Sequence, residues 1–459
     1  MSQPADGRGP AEVRRLLAVL LAVCAVQPAI WVVKLVIAPE PLFPDFFGLW
    51  SFGRYALTRA PATIYDDRLL YAFQTALGMP PDAGHYSFFY PPWTLLLFAP
   101  IGVLPYGVAR VAWLVLSFAL YAGALAAWRW QRPVAGLLLL APASAVCILL
   151  GQNGFLTAAL MLGGMRLLWT RPLAAGIVLG LLALKPQLGI LVPFVLLFGR
   201  HWRAMAGAAL CIAVLSLTSL LAFGSDTWMA WLHGIRDQAG TLTAGRQALL
   251  DMMPTVTSAV LVLGGSTGVA HLAQLAGVLA GLLAVWRVRR RRDLEARAVP
   301  PLATILATPY AFDYDLTMTT GAVLAVIAGR VSAGRFGQYE FPLLLACIML
   351  PAILPLHFGA LAAAVPLVFA ATLWIMTERA GRIDSGRLAE GGWRDRWRSG
   401  GLPQALRRGG VALCRPFGQP RLLLRPPLLF FRPPIGVAAL LTGWRRGGRR
   451  GGGFLGLPG

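Results

Sequence analysis

Negative charge is what this chain has least of: 19 aspartates and glutamates stand against 41 lysines and arginines in 459 residues. Charge of either sign is scarce, at 13% of residues, while 57% are hydrophobic and the mean hydropathy is +0.65. An ordinary soluble globular domain carries about a quarter charged residues, so that class is excluded. Lysine is nearly missing too, with only Lys34 and Lys185 beside a basic set that is otherwise arginine. Cysteine and histidine number five each. Cys24, Cys147, Cys211, Cys347 and Cys414 occur singly, which argues against a disulfide framework and a thiolate metal centre. His85, His233 and His357 show no ligand spacing, so neither a metal nor a cofactor is expected.

What the chain does have is a succession of apolar runs from about Leu16 to Ile375. A hydrocarbon core about 30 Å thick needs roughly 20 apolar residues per untilted helix. The runs are continuous rather than alternating, and backbone groups in lipid must pair within the segment, so helices are expected and a β-barrel is not. The first run, about Leu16 to Ile37, follows Arg14 and Arg15 and lacks a small-residue cleavage site, which reads as a retained helix. The formal charge of +22 sits in short loops between runs and in the tail. That placement fits topology signals and contact with the lipid bilayer; no nucleic acid partner is expected.

Arginines mark alternate turns: Arg129 and Arg132, then Arg166 and Arg171, Arg200 and Arg203, the run from Arg287 to Arg292, and Arg330 with Arg335. The expected fold is therefore an all-α polytopic membrane protein with about 12 spans and both termini cytoplasmic. The membrane domain covers residues 1–380, with a first outer loop over about 38–92 and a second over about 224–255. Residues 93–104 are too short to cross and end at Pro105, which suits a re-entrant or interfacial helix. Residues 173–184 and 188–198 are also short. The segment 381–459 is rich in Arg, Gly and Pro and is expected to be disordered, without a catalytic role.

The arginine pattern sends the scarce polar signals to one side. Asp45, the Tyr90-Pro91-Pro92 turn, Gln152-Asn153, Lys185-Pro186-Gln187, and Asp313 with Asp315 all fall in outer turns. Asp45 lies among Phe43, Phe46, Phe47 and Trp50; desolvation there would raise its basicity toward that of a general base. The competing role is a helix cap. Lys185, between two short runs, is a candidate for a phosphate group or else a snorkelling hairpin residue. Asp313 and Asp315 share a face only in an extended segment. Asp66, Asp67 and Asp82 read as solvated loop residues, and Lys34 as a snorkelling lysine.

Several motifs occur in order: Asp-Phe-Phe-Gly-Leu-Trp from Asp45, Phe-Tyr-Pro-Pro-Trp from Phe89, Gly-Gln-Asn from Gly151, Leu-Lys-Pro-Gln-Leu from Leu184 and Arg-His-Trp-Arg from Arg200. Together they resemble the glycosyltransferase 87 family of polytopic GT-C enzymes, over about residues 15–330. The resemblance implies transfer of a hexose, mannose in the studied members, from a polyprenyl-phosphate sugar donor to a glycolipid or glycan acceptor on the outer side of a bacterial-type inner membrane. It implies Asp45 as base, and Lys185 with an outer arginine, Arg54 or Arg246, as partners of the leaving phosphate. Relatives often carry a polar or histidine-containing outer motif late in the chain; here the segment reads Tyr310-Ala311-Phe312-Asp313-Tyr314-Asp315. The alternative reading is a multi-span transporter or flippase of a lipid-linked or polyol substrate, which would place polar residues near mid-bilayer within an internal repeat.

Overall fold

The computed structural model describes residues 45–80, 85–128, 140–244, 252–333, 340–353 and 364–378, with a few isolated positions such as Cys24. Most of the first apolar run, Lys34, Asp82, Arg246, His357 and the tail 381–459 lie outside the described residues. The chain divides into units Met1–Gly392 and Trp393–Gly459, and the description that follows concerns the first.

All regular structure among the described residues is helical. Helices α1 (Phe46–Thr58) and α2 (Asp67–Ala76) lie in the segment expected to form the first outer loop. A 3-10 turn at Pro92–Thr94 leads into α3 (Leu95–Val103), followed by α4 (Tyr106–Ala126), α5 (Pro142–Leu150) and α6 (Gly154–Leu167). Next come α7 (Pro172–Gly180), 3-10 turns at Leu181–Leu184 and Pro186–Gly189, and α8 (Val192–Phe198). Then follow α9 (Trp202–Ala244), α10 (Val256–Val262), α11 (Thr267–Val288) and α12 (Leu294–Ala307). A 3-10 turn at Asp313–Leu316 precedes α13 (Thr317–Ala333), α14 (Glu340–Ile353) and α15 (Ala364–Glu378).

Among the described residues, 3 helices are long and apolar enough to cross a membrane: α4, the Trp202–Gly234 part of α9, and α11. Shorter apolar helices of 10–17 residues occupy much of the remaining apolar sequence, where about 12 spans are expected from its runs. Proline and glycine shorten them. Lys185, between Leu184 and Pro186, has an extended-side backbone (φ −139°, ψ 74°) and separates the two half-helices of the α7–α8 hairpin. The second outer loop differs from expectation. Gly224 (φ 79°, ψ 166°) breaks α9, but the chain resumes as helix to Ala244. The reason is aromatic packing: Trp228 and Trp231 lie 5.4 and 5.6 Å from Trp93, a contact that turn-like Gly224-Ser225-Asp226 does not announce.

The core centres on α6, which packs against α4, α7, α12 and α13. Phe155, Met161 and Leu162 are fully buried there, with Tyr121 of α4 stacked 5.5 Å from Phe155. A second apolar cluster, around Phe46, Phe52, Phe88 and Phe98, binds α1 to α3. Its crossing is set by Gly53 and Gly102: a Cβ on either would overlap the other helix's backbone, at Phe98 O and Arg54 N. Three of the long connections run between opposite ends of the bundle. Helix α6 leads from Asn153 to Arg166, α11 ends at Arg287, and α13 leads from Asp315 to Arg330. Asp45, Asp313 and Asp315 thus lie at one end and most of the arginines at the other, where Asp293, Glu295 and Glu340 are paired with Arg291 and Arg330.

Candidate active site

The N-terminus of α1 carries Asp45, whose backbone starts the helix but whose side chain makes no capping bond. The capping role weighed from sequence is therefore not how this carboxylate is used. Gln152 instead donates from Nε2 to Asp45 Oδ2 at 2.9 Å. Gln152 is presented by a left-handed turn: Gly151 ends α5 at φ 68°, and a Cβ there would press on Phe46 Cβ. Trp113 donates to the Gly151 carbonyl (3.1 Å), so the turn is held from α4 as well.

Asn153 links the next pair. Its Nδ2 donates to the Tyr90 hydroxyl at 3.2 Å, and its Oδ1 accepts from Lys185 Nζ at 3.4 Å. Tyr90 is positioned by Tyr65, which donates to the Tyr90 carbonyl (2.9 Å). Lys185 is buried, at 3% exposure, and is ion-paired with Asp315 Oδ1 at 2.6 Å. Its ammonium also lies 4.6 Å over the Tyr314 ring. The lysine therefore does not snorkel out to headgroups. Asp315 Oδ2 accepts from the Phe312 amide (3.0 Å), which locks the 3-10 turn.

Asp313 and Asp315 are not in an extended segment; within this turn they point to different partners. Asp313 Oδ1 accepts from the Tyr314 amide (2.8 Å), while its Oδ2 is buried with no hydrogen-bond partner among the described residues. Burial pushes the Asp313 carboxyl up to about 7, and the nearby charges of Asp45 and Asp315 add to the rise. The Asp45 carboxyl is also raised, by burial, against the opposing effects of the Gln152 bond and the Lys185 charge. Tyr90, Asn153 and Lys185 line a narrow cleft of about 10 Å³, room for a single water, whose other wall includes Leu156, Leu160 and Leu181.

The structure thus brings Asp45, Tyr90, Gln152, Asn153, Lys185, Asp313 and Asp315 together from separate turns. Gln187 is half-buried beyond Lys185 and has no hydrogen bond to this cluster among the described residues. Arg54 faces the α1–α3 crossing instead, with Nη1 3.4 Å from the Gly102 carbonyl and the guanidinium over Trp50. Asp66 and Asp67 are exposed, and Asp66 caps α2 by accepting from the Arg68 and Leu69 amides. Sequence reasoning missed Gln74. Its buried amide exchanges hydrogen bonds of 2.9 Å with both the carbonyl and the amide of Tyr86, tying the 85–91 segment to α2. It also missed Tyr314 as the ring beneath Lys185; its place between the two aspartates was the available signal. Among the described residues no group of three His, Cys, Asp or Glu side chains is placed to hold a metal ion.

Comparison with known proteins gives one positive result. Residues 88–309 match the sequence model of glycosyltransferase family 87. No curated protein and no solved structure matches the chain. The matched stretch contains Tyr90, Gln152, Asn153 and Lys185, while Asp45, Asp313 and Asp315 lie beyond its ends.

Proposed function

We propose that this chain, whose residues 88–309 match the glycosyltransferase family 87 model, is a membrane glycosyltransferase that moves a hexose, mannose in the first instance, from a polyprenyl-phosphate carrier to a lipid or glycan acceptor. The reading includes a GT-C type bundle of about 12 spans in a bacterial-type cell membrane, with the acid cluster on the outer side and both termini cytoplasmic. One observation carries it: Asp45, Gln152, Asn153, Tyr90, Lys185 and Asp315, drawn from distant turns, form continuous hydrogen-bonded links at one end of the bundle.

Asp45 is the general base in this reading. The acceptor hydroxyl gives its proton to the carboxylate as its oxygen bonds the anomeric carbon, and the carbon–oxygen bond to phosphate breaks with its electron pair leaving on the carrier. A carboxyl raised by burial is a stronger base than a solvated one, which favours Asp45 for this step. Lys185 is the cation of this cluster, and in this reading it stabilises the charge that develops on the leaving phosphate. Tyr90, Asn153, Asp313 and Asp315 are the hydrogen-bonding groups for the sugar hydroxyls. Gln187 and Arg54 carry no assigned contact in this step.

The test is transfer of radiolabelled mannose from polyprenyl-phosphate mannose in membranes holding equal amounts of wild type and Asp45→Asn. Wild type is expected to label a lipid or glycan, and Asp45→Asn to lose at least about a hundredfold in rate, the usual contribution of a general base. Retained activity in Asp45→Asn would remove the base assignment; no transfer by wild type from any polyprenyl-phosphate sugar would remove the donor class.

A further inference from the structure

The arginine end of the bundle contains a cavity that the glycosyl-transfer reading does not use. It measures about 490 Å³, within the range of pockets that hold small ligands. Arg200, Arg203, Arg289, Arg290 and Arg292 line it, from the α8–α9 turn on one side and the end of α11 on the other. No acidic side chain lines it among the described residues. The nearby carboxylates are already engaged elsewhere: Asp293 pairs with Arg291 at 2.7 Å, and Glu295 with Arg330 at 2.9 Å. None of the lining arginines has an ion-pair partner among the described residues; Arg289 is seated on the Trp286 carbonyl at 2.6 Å and over its ring, which leaves the other four to meet a ligand's charge.

Two further details mark the cavity as built. Arg200 has a left-handed backbone, φ 55°, which non-glycine residues rarely adopt, and that turn places Arg200 and Arg203 beside the α11 arginines. His201 stands edge-on to Trp169 at 5.5 Å, and its imidazole is lowered from its ordinary value by burial and by Arg292. An unprotonated ring adds a hydrogen-bonding wall without a sixth positive charge. On one side the cavity adjoins α9, whose Leu210, Leu217 and Leu221 are exposed as a lipid-facing surface requires, and whose first residue, Trp202, is 58% exposed.

We propose that this cavity binds the phosphate of an anionic phospholipid, with the arginines around the headgroup and the acyl chains lying along α9. Arginine presents planar, forked donors that match phosphate oxygens, and basic pockets between membrane helices are suited to anionic headgroups. The site lies at the opposite end of the bundle from Asp45 and is independent of the sugar-transfer chemistry.

The experiment uses the full chain purified in a neutral detergent and titrated with phosphatidylglycerol, phosphatidylcholine or inorganic phosphate, with bound lipid counted by native mass spectrometry. Arg290→Gln/Arg292→Gln alters exposed side chains at the cavity rim, and Arg287→Gln, at the same end but over Trp374, is the control. Each variant is first checked for an unchanged elution profile, with Arg203→Gln replacing the pair if it aggregates. Phosphatidylglycerol is expected to bind wild type and the Arg287 variant alike, and the rim variant about tenfold to thirtyfold more weakly. Equal affinity for wild type and rim variant overturns the proposal, as does equal affinity for phosphatidylcholine. If inorganic phosphate alone displaces phosphatidylglycerol and stabilises the protein as well, the lipid source is overturned in favour of a soluble phosphate ligand.

Discussion

Asp313 is the least settled ionisable residue of the acid cluster, with one oxygen on the Tyr314 amide and the other unpartnered. Its carboxyl is pushed up to about 7 in the fold, against an ordinary value near 3.8. The folded state therefore holds this proton over a range in which the unfolded chain has released it, so the contribution to stability is full below about pH 4 and is lost as pH rises to about 7. Asp313→Asn should remove that loss. The variant is expected to match wild type in thermal midpoint near pH 4 and to exceed it above pH 7, and equal pH dependence of the two would refute the assignment. Lys185 and Asp315 are each buried with the other as counter-ion. Lys185→Met leaves an unpaired carboxylate inside and is expected to cost about 3–5 kcal/mol. Lys185→Met/Asp315→Asn should recover most of that in a denaturation series while transfer activity stays lost. Recovery of activity in the double variant would show that the pair is structural only.

At the scale of elements, the α1–α3 crossing positions Asp45, because α1 begins at that residue and is held by Gly53 against Phe98 and by Gly102 against Arg54. Gly53→Ala inserts a methyl group where backbone already stands, so the helices must separate. An overpacked crossing of this kind costs about 1–3 kcal/mol, and the shift also moves Asp45 relative to Gln152. Reduced thermal stability together with reduced transfer is expected, whereas Gly107→Ala, which meets open space, should change neither. The limits of α4 were legible in its sequence because Pro105 and the arginine-bearing turn bracket a full-length apolar run. The limits of α12 were not. Pro300 and Pro301 stand inside it, and the helix begins at Leu294, where Asp293 accepts from the Ala296 amide and supplies the cap. Local capping chemistry outweighed the proline signal there.

For the molecule as a whole, the gathering of polar motifs at one end was legible because acids and lysines are so scarce that each survivor stands out, and because arginines mark the other end. The pairings were not legible. Gln152 reaches Asp45 across 107 residues, and Lys185 reaches Asp315 across 130. No periodicity or spacing specifies which polar turn meets which; only the packing of α6 between its neighbours does. The helix after Gly224 was hidden for a related reason, since its aromatic side chains acquire a purpose only against Trp93.

The Lys185–Asp315 pair also bears on how the protein is made. The ribosome delivers the lysine 130 residues before its partner, which at about 5–20 residues per second is an interval on the order of ten seconds. Throughout it the α7–α8 hairpin holds an ammonium without a counter-ion, and placing such a charge at the centre of a bilayer costs roughly 3 kcal/mol in translocon-mediated insertion. The hairpin is thus poised to wait at the membrane surface and settle only after the Asp313–Leu316 turn has emerged. A nascent chain stopped before that turn contains the whole stretch that matches the family model, residues 88–309, and lacks the counter-ion of Lys185.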